Sequence, residues 1–214
     1  MKKPSLFVLG DSISMHYGPY LRQYLAGIFD YDRKRDKSIS KKDLYKPVGA
    51  NGGDSSNVLS YLIEQKKKKL LKYDFMLLNC GLHDIKIYKN TVKNQISLSN
   101  YKKNLKSILA LLKKTLTKVI WVRITHVDNK VHKARCKDFR RFNKDVEKYN
   151  KAADTIMKKN RISMIDLNTF TKNTGKKYFK DHIHYFDNIR AVQAAYISGF
   201  LEDEVRGMKY KVRS

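Results

Sequence analysis

The stretch Leu6-Phe7-Val8-Leu9-Gly10-Asp11-Ser12-Ile13-Ser14 decides the fold, because four apolar residues run straight into a glycine and two short polar side chains. An apolar run cut off by a turn former reads as a buried strand with a sharp end. A helical pattern of Leu21, Tyr24, Leu25 and Ile28 follows, so the Ser12 hydroxyl is expected at the strand's carboxyl end, beside a helix N-terminus. Open parallel sheets bind their ligands there. A plainer role stands beside this one: Asp11 or Ser12 could simply cap the helix, as short polar side chains do for the free N–H groups of a first turn.

Working outward, residues 18–29 carry apolar positions at helical spacing and make a first crossover helix, and residues 30–46 read as a mixed-charge solvated loop. The small, turn-rich segment from Pro47 to Ser56 contains Gly52-Gly53 and leads into a helix over 58–71. Adjacent glycines before a helix let backbone N–H groups approach a ligand closely. A strand over 73–79, with the apolar core Phe75-Met76-Leu77-Leu78, ends in the turn Cys80-Gly81-Leu82-His83-Asp84. An amphipathic helix over 99–116 precedes the strand 119–122, which runs into Arg123, Thr125 and His126. A helix over 139–159, a short strand over 162–167, a loop over 178–184 and a closing helix over 188–205 complete the chain.

Alternating strands and helices call for an α/β fold, a three-layer α/β/α sandwich of flavodoxin-like kind with about five parallel strands. At 214 residues the chain suits one domain spanning 1–214.

Hydrophobic content of 42% is ordinary, whereas the net charge of +26 is not. Such a field draws anionic partners, yet the basic residues are scattered and lack interleaved aromatic residues, which fits Lys-decorated helices better than a nucleic-acid platform. The two cysteines, Cys80 and Cys136, make no disulfide framework, and neither is expected at a metal-ligand spacing, so no metal site is anticipated. Met-Lys-Lys-Pro precedes too few apolar residues for a signal peptide, and no stretch approaches the roughly 20 apolar residues that span a bilayer. A soluble protein in the reducing cytoplasm is the expectation.

Three polar clusters then converge on one sheet edge: Ser12; the pair Gly53 and His83; and Asp181-His182-Ile183-His184. Acyl transfer by a serine requires a base for its proton, a carboxylate to orient that base and donors for the oxyanion. Each residue type is available at a loop. His182 offers a competing base, and His16, one helical turn after Ser12, is expected either at the pocket rim or on the plain surface. Arg123, Thr125 and His126 are weaker candidates for substrate contact; His132 and Cys136 carry no functional mark, and Cys80 reads as a buried small apolar residue.

These blocks resemble the SGNH hydrolases, also called GDSL esterases and lipases. Gly10-Asp11-Ser12 is similar to the family's first block, Gly53-Asp54-Ser55 to the second and Asp181-x-x-His184 to the last, in family order along nearly the whole chain. The resemblance implies Ser12 as nucleophile, His184 as general base, Asp181 as its orienting carboxylate, and an oxyanion hole from the N–H groups of Ser12 and Gly53. One block departs: the family's Gly-x-Asn-Asp reads Gly81-Leu82-His83-Asp84, with His83 where the oxyanion-stabilising asparagine is expected. A neutral imidazole donates one N–H, so His83 can stand in for that amide, weaken the site or retune it.

The implied chemistry needs no metal or organic cofactor. It would proceed through an acyl-enzyme on a small-molecule or carbohydrate ester, an acetyl group foremost. The alternatives are a lysophospholipase or thioesterase of the same fold, or a basic module with a disabled site and non-specific affinity for nucleic acid or other polyanions.

Overall fold

In the computed structural model, which describes residues 2–35, 46, 48–175 and 178–211, β1 (Ser5–Leu9) lies inside a five-stranded parallel sheet. Its residues Leu6 to Leu9 are all buried, as a strand covered on both faces requires. Asp11 caps α1 (Ser12–Tyr24) by accepting the Ile13 N–H at 2.9 Å, so the helix starts directly after the turn. The apolar spacing over 18–29 had suggested a later helix; the cap moves it forward, and the chain leaves the helix at Leu25 with Gly27 at φ +90.

β2 (Asp30–Arg33) corrects the expectation of a loop there, and residues 36–45 of that stretch lie outside the described residues. Asp-Tyr-Asp-Arg lacks a strand's apolar signature because β2 is an edge strand, paired in parallel with β1 from Ser5↔Asp30 to Val8↔Arg33. Its register turns Arg33 inward, which matters below.

The chain continues through α2 (Ser55–Lys67), β3 (Phe75–Leu78), β4 (Ile87–Tyr88), α3 (Leu98–Lys113), β5 (Lys118–Val122) and α4 (Asn129–Arg135). It ends with β6 (Phe139–Arg140), α5 (Asn143–Lys159), β7 (Ser163–Ile165), α6 (Leu167–Lys172) and α7 (Asp187–Lys211). The sheet order is β2-β1-β3-β5-β7, the flavodoxin-like arrangement. Helix α1 packs on α7, while α2, α3 and α5 pack in sequence, so helices form the outer layers around the sheet.

The helix expected from 139 begins only at Asn143, because Phe139 and Arg140 pair antiparallel with β4 in a two-stranded ribbon. The strand expected over 162–167 is shorter for a similar local reason: Asp166 caps α6, accepting the Thr169 N–H at 3.0 Å. No described helix is long and apolar enough to cross a membrane.

Candidate active site

The parallel register delivers the ends of β1, β3 and β5 to one edge, where the polar turns gather. Ser12 is the first residue of α1, 6% exposed, and its Oγ lies 2.9 Å from His184 Nε2. His184 Nδ1 is 2.7 Å from Asp181 Oδ2, and the other Asp181 oxygen accepts the N–H groups of Ile183 and His184, both at 2.8 Å. A hydroxyl, an imidazole and a carboxylate thus stand in one hydrogen-bonded line across 172 residues of sequence separation. It is His184 that reaches Ser12; His182 does not occupy that place.

Burial would raise the Asp181 carboxyl, but the hydrogen bond and charge of His184 and the two backbone donors hold it well below the usual carboxylate range. An ionised carboxylate there fixes the ring so that Nδ1 donates and Nε2 can accept a proton from Ser12. Both expectations for the first turn are met on neighbouring residues, since Asp11 caps the helix and Ser12 faces the imidazole. Burial pushes the Asp11 carboxyl up, offset by the Ile13 N–H and the charges of Arg141 and His184.

The opposite side is assembled differently. Gly52 N–H donates to Gly10 O at 2.8 Å, and a Cβ on Gly52 would lie 3.0 Å from that oxygen, so only glycine lets this loop sit against the first turn. Gly53, at φ +73, also needs glycine's freedom, but its N–H donates to Asn51 Oδ1 at 2.9 Å. The expected oxyanion donor therefore already has an acceptor. His83 is 3% exposed; burial first, then the charges of Lys86, Arg141 and His184, hold its ring well below the ordinary histidine range and keep it neutral.

Neighbouring residues anchor this half. Asp84 accepts the Ser55 N–H and hydroxyl, tying the start of α2 to the turn after β3, and its burial lifts the carboxyl to about 7. Asp54 caps α2 and accepts Gln95 Nε2 at 2.6 Å. Arg33 donates to Ser14 O at 3.0 Å and to Ala50 O at 3.3 Å, stapling the nucleophile turn to the glycine loop. Sequence reading missed Arg33 because its stretch carries no strand signal; a period-two placement of Tyr31 and Arg33 was the available clue.

His16 is half-buried, with its ring edge-on to His184 at 4.7 Å between centroids, and burial lowers it to about 3, so it meets the site uncharged. Arg123 pairs with Asp166 at 2.6 Å and Asp154 at 3.3 Å, and His126 lies buried against Tyr178, Phe179 and Tyr185. Those two act as packing and bridging groups. Cys80 is fully buried. The expectation that neither cysteine has a histidine at ligand spacing is corrected by His132, which stands four residues before Cys136. The fold brings His182 to the same place.

The profile of the GDSL-like lipase/acylhydrolase family matches residues 6–197. The chain belongs to this family. It is therefore a hydrolase of the GDSL/SGNH type, and its five-stranded α/β sheet is that of its structural relatives. A lipase/acylhydrolase from Enterococcus faecalis superposes with a TM-score of 0.70 at 15% identity, over 94% of this chain and 96% of that one. The acetyl xylan esterase AlAXEase gives 0.65 at 15% identity, over 90% and 97%. A carbohydrate esterase of family 3 from Talaromyces cellulolyticus gives 0.66 at 15% identity, over 95% and 99%. At this identity the likeness establishes the fold. No curated protein matches the sequence.

Proposed function

We propose that this GDSL hydrolase, acting as one domain, cleaves small acyl esters, acetyl groups on a carbohydrate foremost, by a serine acyl-enzyme route. The observation that carries the reading is the contact of Ser12 Oγ with His184 Nε2 at 2.9 Å, backed by Asp181 at 2.7 Å. Ser12 attacks the ester carbonyl as His184 accepts its proton. His184 then returns the proton to the departing alcohol, and water activated by the same ring hydrolyses the acyl-enzyme. The Ser12 N–H at the start of α1, the Gly53 N–H once it turns from Asn51, and a His83 ring N–H hold the oxyanion.

The kinds of ester that similar proteins cleave support a short acyl group. Two of the structural relatives named above are esterases of acetyl xylan and of carbohydrates by description. The two free thiols suit a reducing compartment, in keeping with a cytoplasmic reaction.

Hydrolysis of p-nitrophenyl acetate by the wild type and by Ser12→Ala tests the route, with a loss on the order of 10⁴-fold or more expected. A preference for acyl chains of ten carbons or more would move the assignment to a lysophospholipase or thioesterase. An open groove of about 710 Å³ favours a second reading in which an anionic polymer is bound. Its wall carries Lys89, Lys130, Lys133, Lys137, Arg140 and Arg141. Retention on heparin that falls steeply with salt supports this, and passage through the column at low salt refutes it.

A further inference from the structure

A second cluster of reactive side chains lies outside the Ser12 line. His132, on α4, and Cys136, which closes that helix with its N–H on His132 O at 2.9 Å, are four residues apart and so share one helix face. His182, from the loop over 178–184, stands with its ring edge-on to His132, 4.8 Å between centroids. One ligand atom from each of the three lies within 4.8 Å of the others. The buried Nε2 of His132, a residue only 2% exposed, has no hydrogen-bond partner. An orphaned nitrogen beside a thiol and a second imidazole forms a donor set of the kind that ligates a soft or borderline cation.

We propose that His132, Cys136 and His182 bind one zinc ion, which ties α4 to the loop that carries Asp181 and His184. The donor set is two nitrogens and one sulfur, which suits a borderline-soft divalent ion and leaves calcium or magnesium without oxygen ligands. Cys136 loses its proton to solvent as the sulfur–zinc bond forms, and the resulting thiolate offsets part of the charge in a groove rich in lysine and arginine. His132 and Cys136 line the wide groove described above, which provides an entry path and room for water as a fourth ligand.

The ion's role is positional. His182 is two residues from His184, and Arg135 of α4 already donates to Asp181 O at 3.3 Å, so α4 and this loop are neighbours before any metal joins them.

The test uses untagged protein, stripped with chelator and reloaded with zinc or cobalt. About one equivalent of zinc per chain is expected, and cobalt should give a thiolate charge-transfer band that disappears in Cys136→Ser and persists in Cys80→Ser. Absence of the band, or its survival in Cys136→Ser, overturns the proposal. Alkylation of Cys136 by iodoacetamide, mapped by mass spectrometry on the wild type, reads the same site without any variant. Zinc should slow it at least ten-fold, and an unchanged rate overturns the proposal.

Discussion

The two halves of the candidate active site are built to different degrees of readiness. On the base side, Asp181 accepts three hydrogen bonds from within its own turn and from His184, and the imidazole already touches Ser12. On the proposed oxyanion side, the Gly53 N–H is spent on Asn51 and the candidate third donor, His83, is a neutral, buried histidine in place of an amide. The contrast teaches that, on the proposed route, proton transfer is preorganised, while stabilisation of the transition-state charge waits on a backbone donor changing partner.

The base side breaks first and hardest. Asp181→Asn should keep the fold yet lower kcat for p-nitrophenyl acetate by about 10⁴-fold, because an amide that donates to Nδ1 leaves the ring in the wrong tautomer. A loss below ten-fold would mean that the preassembled line is not the working one.

On the other side, His83→Ala should cost 10² to 10³-fold in kcat, the usual loss of one oxyanion donor, while His83→Asn restores most of the rate. Equal rates for wild type and His83→Ala would remove His83 from the oxyanion hole. Asn51→Ala sharpens the comparison further. Freeing the Gly53 N–H is worth one hydrogen bond, so kcat should rise by up to about ten-fold. A fall of a hundred-fold would show that the Asn51 bond holds Gly53 in place, and that both halves are preassembled.

The smallest effect concerns stability. Burial holds His126 at about 4 in the folded chain, whereas a histidine in the unfolded chain titrates near 6.5. The unfolded state therefore binds more protons between these values, so this contribution is complete above about 6.5 and is lost as pH falls toward 4. Asp84, lifted to about 7, works in the opposite sense, losing stability as pH rises from its unfolded value toward 7. The readout is thus a difference: the thermal midpoint of His126→Phe should depend less on pH between 6.5 and 4.5 than that of the wild type. Parallel curves would mean that His126 carries its charge when folded.

Legibility in the sequence followed burial and locality. Strands covered on both faces, such as Phe75–Leu78, announce themselves as continuous apolar runs, and the end of β1 marked Ser12, whereas Asp181 and His184 were legible from their own loop motif. Edge and ribbon pieces did not, since Asp30–Arg33 and Phe139–Arg140 are held by neighbouring strands rather than by their own composition. The body of the first helix was placed too late, from 18, because its apolar spacing is clearest there, although Asp11 was already a candidate cap.

Sequence alone determined the α/β alternation, the positive surface and the residue types for acyl transfer, because periodicity, charge and turn chemistry are local properties. Only the tertiary structure decided which partner each group meets. That Arg33 staples two turns, and that His132, Cys136 and His182 come within ligand reach of one another, depend on distances between segments far apart in the chain, and that Gly53 donates to Asn51 depends on how its loop is folded. Hydrogen bonding and ligation act over about 3 Å, and chain order does not encode that scale.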